Sequence, residues 1–257
     1  GLVQCINNCI EEGSRKKEVY KPIYLSYNEL KKSITFSNPQ LLKNPGKIYT
    51  YNKYLLINQK YEGIHIYDNS DPKNPLNIGF LNIPGNIDIA VRNNILYADS
   101  FTNLVAIDIS NPASPTIVKT IERVFPYPNN YIYSQYAGIK YNQYTFSSTE
   151  PVDEEKGVIV KWEFSHTKTE TYEYDNCSMD FSYTSNSEGS TGQGGSMARF
   201  TITDNYLYTI EGDKMKLFNI ETPSNHTLWK SITIDMDIET IFPYKNNLFI
   251  GSRTGMH

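Results

Sequence analysis

Four charged residues stand at related places in the chain. Lys47 lies five residues before Asn52, Asp88 five before Asn93 and Arg199 five before Asp204, while Glu239 lies seven before Asn246. Ala137 fills the same place ahead of Asn142, and Pro243 suggests a bulge that absorbs the extra spacing before Asn246. If each follower opens a tight turn, the register sets Lys47, Asp88, Arg199 and Glu239 in a ring of alternating charge. Such a ring supports two kinds of chemistry. It can be a buried salt-bridge network that fixes arrangement more than strength. It can also be a polar site for a sugar, a peptide or a metal ion. Catalysis would need more: Asp88 and Glu239, or Asp237, converging in an open cleft with unequal protonation, as glycoside cleavage requires. Asp235 and Asp237 extend the carboxylate row toward Glu239 on one strand face, because residues i and i+2 point the same way. That row suits a cation and equally suits a solvated face.

The other candidates are weaker. The histidines His65, His166, His226 and His257 form no HExxH or paired ligand spacing. His65 alternates with Ile64 and Ile66, so it is expected to pack between sheets. No GxSxG nucleophile elbow occurs. The glycine-rich stretch Ser185–Phe200, with Gly192, Gly194 and Gly195, suits a lid or a linker and lacks the GK[ST] ending of a phosphate loop. Asp68–Asp71 (DNSD) resembles part of a calcium loop but lacks its Gly and distant Glu, so a turn is expected. Glu150 and Asp153–Glu155 form a solvated acidic loop. Tyr127, Tyr131, Tyr133, Tyr136, Tyr141 and Tyr144 crowd one loop-like segment, where exposed tyrosines would stack on sugars or proteins. No cofactor and no metal site are expected.

The elements that must position the charged residues follow from a repeat. Asn52–Pro75 and Asn93–Pro115 superpose, with Asp68 and Asp108, Pro72 and Pro112, and Pro75 and Pro115 each 40 residues apart. Asp204–His226 is a third copy, Asn246–His257 starts a fourth, and a divergent unit joins GIKYNQYTFSS from Gly138 to GVIVKWEF from Gly157. Each unit reads as strand, turn, strand, hairpin, strand and a proline-closed turn, as in Ile87–Val91, Ile95–Asp99, Leu104–Ile109 and an outer strand Thr116–Thr120. Short antiparallel strands with a period near 40 describe a β-propeller blade. The runs LLI, IHIY and LVAIDI are apolar on both faces, as sheets packed between neighbours require. The predicted fold is all-β, a propeller of about five four-stranded blades with the last incomplete, plus a short helix over Tyr27–Lys32 capped by Ser26 and Glu29. The innermost strand of each blade would carry the charged ring.

Composition agrees. The 257 residues include 21 Tyr and 11 Phe, enough to fill a core and favour strands. A net charge of -4 argues against a duplex nucleic-acid partner, and no run of 18 apolar residues exists.

The units resemble the LVIVD repeat. LVAID (Leu104–Asp108) and GIHIYD (Gly63–Asp68), each followed by S-[DN]-P-x-x-P, match its core strand and exit turn. NPGKIY (Asn44–Tyr49), IPGNIDIAV (Ile83–Val91), LYADS (Leu96–Ser100) and GQGGSMARFTI (Gly192–Ile202) are similar to stretches of LVIVD-repeat lipoproteins of Bacteroidetes-type bacteria. The resemblance covers about Tyr20 to His257; Thr222 and His226 depart from its turn. It implies a cell-envelope propeller, outer-membrane anchored, periplasmic or surface-exposed, with no established activity. Its ligand would be a carbohydrate, peptide or protein.

The chain opens with Gly1, and Leu2-Val3-Gln4-Cys5 loosely resembles the end of a lipoprotein signal, although Gln4 stands where a small residue is usual. Lipidated Cys5 would attach the protein to a membrane without spanning it. It would leave Cys9 and Cys177, as a disulfide or as free thiols. Residues 1–19 are expected to be a tether and 20–257 the propeller. The last unit stops inside its second hairpin, which predicts missing strands supplied by a longer protein. The open edge could dimerise, or a strand near Tyr20–Leu25 could close the ring.

Overall fold

The computed structural model describes residues 10–127, 145–175, 199–211, 213–234, 238–245, 247–252 and 255–256. Cys5, Cys9, Cys177, Ala137, Asn142, Asp235, Asp237, Asn246, His257, the glycines at 192, 194 and 195 and the tyrosines at 131–144 lie outside the described residues. The chain divides into two compact units.

The larger unit is drawn from Leu25–Asn129, Glu154–Val158 and Gly195–His257. It holds a helix and a series of antiparallel sheets. Helix α1 (Tyr27–Ser33) starts as expected, with the Ser26 side chain accepting from the Glu29 amide and the Glu29 carboxylate accepting from the Ser26 amide. The first sheet contains β2 (Thr35–Ser37), β3 (Pro45–Tyr51), β4 (Tyr54–Gln59), β5 (Gly63–Asp68) and β6 (Leu76–Asn82), with β2 added outside β6. The second contains β7 (Ile89–Arg92), β8 (Ile95–Ser100), β9 (Asn103–Asp108) and β10 (Thr116–Ile121). The third contains β13 (Phe200–Thr203), β14 (Tyr206–Glu211), β15 (Lys214–Asn219) and β16 (Thr227–Thr233). The last described sheet has three strands, β17 (Ile238–Tyr244), β18 (Asn247–Ser252) and β19 (Gly255–Met256).

Alternation along the second sheet shows why the units stack. Ile89, Val91, Leu96, Ala98, Val105 and Ile107 join one core with Leu56, Ile64 and Ile66 of the first sheet. Ala90, Ile95, Tyr97, Leu104 and Ala106 point the other way, into a core with Phe200, Leu207 and Phe218 of the third. Period-two side-chain direction thus gives one sheet two buried faces. A further core joins Met215 and Leu217 to Ile238 and Ile241. The first strands adjoin in chain order: β3 meets β7, β7 meets β13, and β13 meets β17. This is the blade stacking the repeat predicts, in an array whose sheets do not close into a ring.

The exit turns also repeat in space. The Asp68 carboxylate accepts from the Ser70 amide, Asp108 from that of Ser110, and the Asn219 side-chain carbonyl from that of Glu221. DNSD is therefore a turn, with Asp71 accepting from the Lys73 amide and the Asn74 side chain. The Ser70 hydroxyl, then Lys53, hold the exposed Asp68 carboxyl down at about 2.

The smaller unit is drawn from Gly1–Tyr24, Asn130–Asp153 and Ile159–Gly194, and it corrects two expectations. Among the described residues the divergent repeat forms a three-stranded sheet with the chain's first strand in place of a four-stranded antiparallel blade. Its β11 (Phe146–Ser148) and β12 (Val158–Asp175) flank β1 (Ile10–Leu25), and β1 runs parallel to β11. The stretch expected to be a tether up to residue 19 is strand from Ile10 onward. Its polar residues are held across the sheet: Lys17 and Arg15 reach Glu170 at 2.5 and 3.6 Å, and Arg15 lies over Tyr172. Tyr20 stacks on Phe146, which meets buried Trp162 edge-on. The strand over Tyr20–Leu25 therefore belongs to this sheet and does not complete the last blade.

Candidate functional site

The turns that set the register are built alike. Asn52, Asn93, Asp204 and Lys245 each adopt a left-handed φ, between 50° and 53°. Asn and Asp tolerate that conformation better than most residues. Counting back from these turns places Lys47, Asp88 and Arg199 at one level, as the spacing predicts. The fourth unit differs. Its left-handed residue is Lys245, and Glu239 falls in the bulge between the pairs Ile238–Ser252 and Thr240–Gly251. Thr240, not Glu239, holds the equivalent register position.

Three of the four predicted residues meet. Lys47 Nζ lies 2.6 Å from Asp88 Oδ1, and the Arg199 backbone N–H donates to Asp88 Oδ2 at 2.8 Å. The Ile89 and Phe200 amides donate to the same carboxylate at 2.8 and 3.4 Å. Asp88 is fully buried, and its partners come from the first, second and third sheets.

The Arg199 side chain goes elsewhere. It pairs with Asp99 Oδ2 at 2.5 Å, and its guanidinium lies over the Phe125 ring. Asp99, on β8, is fully buried. Its other oxygen accepts from the Ile87 and Asp88 amides at 2.8 and 2.9 Å and from Asn86 Nδ2 at 2.9 Å. Burial pushes the Asp99 carboxyl up, while Arg199 and the two amides pull it back. Buried Asn86 accepts from Asn58 Nδ2 at 2.6 Å, which links the first sheet to this network.

Asp99, Asn86 and Asn58 were missed by sequence reasoning. The signal was present: Asn58 and Asp99 are 41 residues apart, the same offset as Asn52 and Asn93. Each puts a polar side chain at the end of an otherwise apolar strand.

Beside this network lies a cleft of about 540 Å³ between the first strands of the four sheets. Lys47 and Tyr49 of β3, Arg92 of β7 and Thr201 and Asp204 of the third sheet supply its polar lining. Ala90, Val91, Phe200, Ile202 and Pro243 supply the apolar part. Asp99 is not in the lining, so the carboxyl with the raised pKa faces the network and not the cleft. His65 is buried against Gln59 and Phe80 of its own sheet. Tyr127 donates to the Gly157 carbonyl at 2.9 Å. Among the described residues, no group of three or more His, Cys, Asp or Glu side chains could hold a metal ion, and no helix is long and apolar enough to cross a membrane.

Residues 86–122 match the model of the LVIVD repeat. This segment carries Asn86, Asp88, Asp99 and all four strands of the second sheet. Among solved structures the chain is similar to the N-terminal domain of Nup159, with 8% identity, a TM-score of 0.38 and coverage of 80% of this chain and 38% of that one. It is similar to the AfRom2 CNH domain, with 9% identity, a TM-score of 0.38 and coverage of 94% and 55%. It is also similar to the computationally designed Ika8 protein, with 9% identity, a TM-score of 0.36 and coverage of 82% and 56%. The chain thus spans between 38% and 56% of the length of these structures. No curated protein matches it.

Proposed function

We propose that this LVIVD-repeat propeller is a non-enzymatic binding or scaffold module that takes its ligand at the axial cleft. The observation that carries the reading is the state of Asp88. Its carboxylate is fully buried and shared among Lys47 and backbone amides from two sheets. A carboxylate so committed ties blades together and has its oxygens engaged by Lys47 and backbone amides, which favours an arranging role over a hydrolase or lyase site. What remains is a cleft within the size range of small-ligand sites, lined by both apolar and polar residues. Ligands from the carbohydrate, peptide and protein classes are the ones to screen.

The reading extends to location. It places the protein in a bacterial cell envelope, outer-membrane anchored through lipid on Cys5; the support is the Leu2–Cys5 resemblance together with the LVIVD match. Dimerisation through the open blade edge is part of the same reading, supported by exposed Phe242 and Tyr244 on β17.

The test fills the cleft. Thr201→Trp puts a large ring into the lining at a residue whose side chain forms none of the hydrogen bonds of Asp88 or Asp99 described above. Ligands found by saturation-transfer NMR against small glycans, peptides and organic acids should lose binding to this variant while its circular dichroism stays unchanged. Equal binding to the filled variant, or conversion of a bound ligand to product, would overturn the reading. Intact mass of the protein from a bacterial membrane fraction checks the anchor: lipid on Cys5 is expected, and an unlipidated Cys5 contradicts it.

A further inference from the structure

We infer that the axial cleft takes a ligand bearing one carboxylate on an apolar body, with Arg92 as its anchor; this rests on the cleft being the binding site. Among the described residues two cationic side chains line the cleft, and they differ in one respect. Lys47 is neutralised by Asp88. Arg92 is half-buried, and its guanidinium donates to the neutral side-chain carbonyl of Asn205. Among the described residues no carboxylate forms an ion pair with it. A cation drawn partly out of water without a counter-ion is costly, and an incoming anion offsets that cost. The planar guanidinium fork also matches a carboxylate with two parallel N–H donors.

Desolvation selects one negative charge over two. Asp204 lines the same cleft and adjoins Asn205, the partner of Arg92. Its repulsion and the attraction of Arg92 both grow in proportion to the ligand's charge, whereas the cost of taking that charge out of water grows with its square, so a partly apolar cleft favours a monoanion. The apolar part of the lining comes from Ala90, Val91, Phe200, Ile202 and Pro243. Such a surface suits a hydrocarbon or aromatic body.

Three probes test this by calorimetry at low salt: phenylacetate, phenyl phosphate and 2-phenylethanol. Phenylacetate should bind at least tenfold more tightly than 2-phenylethanol and more tightly than phenyl phosphate. Arg92→Gln should remove the preference for phenylacetate over the alcohol, while Lys161→Gln on β12 leaves it intact. Should Arg92→Gln fail to fold by circular dichroism, raising the salt from 20 to 500 mM with the unaltered protein gives the second readout. Phenylacetate affinity should then fall severalfold and that of 2-phenylethanol should not. Equal binding of acid and alcohol overturns the anion inference and leaves the cleft as the binding site. Tighter binding of phenyl phosphate overturns the choice of carboxylate. No binding by any probe overturns the inference, and the cleft reading is then decided by the Thr201→Trp comparison.

Discussion

Replacing Arg199 with Met removes the only side-chain cation paired with Asp99 among the described residues, while a long apolar stem is kept against Phe125. Asp99 stays fully buried and retains the Ile87 and Asp88 amides and Asn86 as donors. Breaking a buried pair from one side costs about 3–5 kcal/mol, because the remaining charge is left uncompensated. For a unit of this size that is a fall in Tm of about 6–20 °C. The cost should depend on pH, and its sign follows from the burial of Asp99. Its folded pKa lies above the ordinary 3.8. The folded state is therefore favoured most below 3.8, and that advantage is lost as pH rises through the folded value. Without Arg199 the folded value climbs further, so the gap between variant and parent should be widest at pH 7 and narrow toward pH 4. Urea unfolding followed by circular dichroism across that range measures the gap. Adding Asp99→Asn to the variant should recover much of the loss at pH 7, because the amide oxygen still accepts from the backbone. A cost below about 1 kcal/mol, or one that stays constant with pH, would refute the clasp between the second and third sheets.

Other parts of the fold make separate predictions. Gly85 has φ 77°, and a Cβ there would lie 2.6 Å from the Phe101 ring. Gly85→Ala should cost at least about 1–3 kcal/mol from backbone strain alone, read as a lower urea midpoint; a change within about 0.5 kcal/mol contradicts the stated geometry. His226 is buried against Tyr97, and desolvation lowers its pKa to about 4, with Lys119 adding to the shift. Its neutral form is the folded one, so the stability it contributes is present above 6.5 and lost as pH falls toward 4. An NMR titration of its Cε1–H should show a midpoint near 4; a midpoint near 6.5 would mean the ring is solvated. Two copies meeting at the open edge through Phe242 and Tyr244 should sediment as a dimer, and Phe242→Ser with Tyr244→Ser as a monomer. A monomer at all concentrations rules that edge out.

The blades were legible because their signals are local. A left-handed Asn or Asp, an apolar pair of strands and an Asp-Ser or Asn-Glu turn recur within 40 residues, and each is fixed by its own backbone. Lys47, Asp88 and Arg199 were placed by the same register. Glu239 was misplaced because a bulge at Pro243 was added to a count anchored on Asn246, whereas Lys245 takes the left-handed turn and the irregularity lies between Ile238 and Thr240. Asn was the expected residue there, and nothing local marks a Lys in that role. Asp99 was hidden inside a strand that reads as ordinary β-sequence; its importance comes from Arg199, 100 residues away. The first half of β1, up to residue 19, was missed for a related reason. Arg15 and Lys17 suggest a solvated tether until Glu170 is set opposite them. The repeat offset marks a position such as Asp99 but does not say which distant charge it meets.

The central claim is that the axial carboxylate of Asp88 ties neighbouring blades and is not held free for chemistry. Hydrogen exchange at the Arg199 amide tests it most directly, since that N–H leaves the third sheet to reach Asp88 in the second at 2.8 Å. The amide should be strongly protected in the unaltered protein. In Asp88→Ala it should lose that protection while the amides of Leu96 and Leu207, inside their own sheets, keep theirs. An Arg199 amide that exchanges at the rate of an unstructured peptide would contradict the claim. So would one equally protected with and without Asp88.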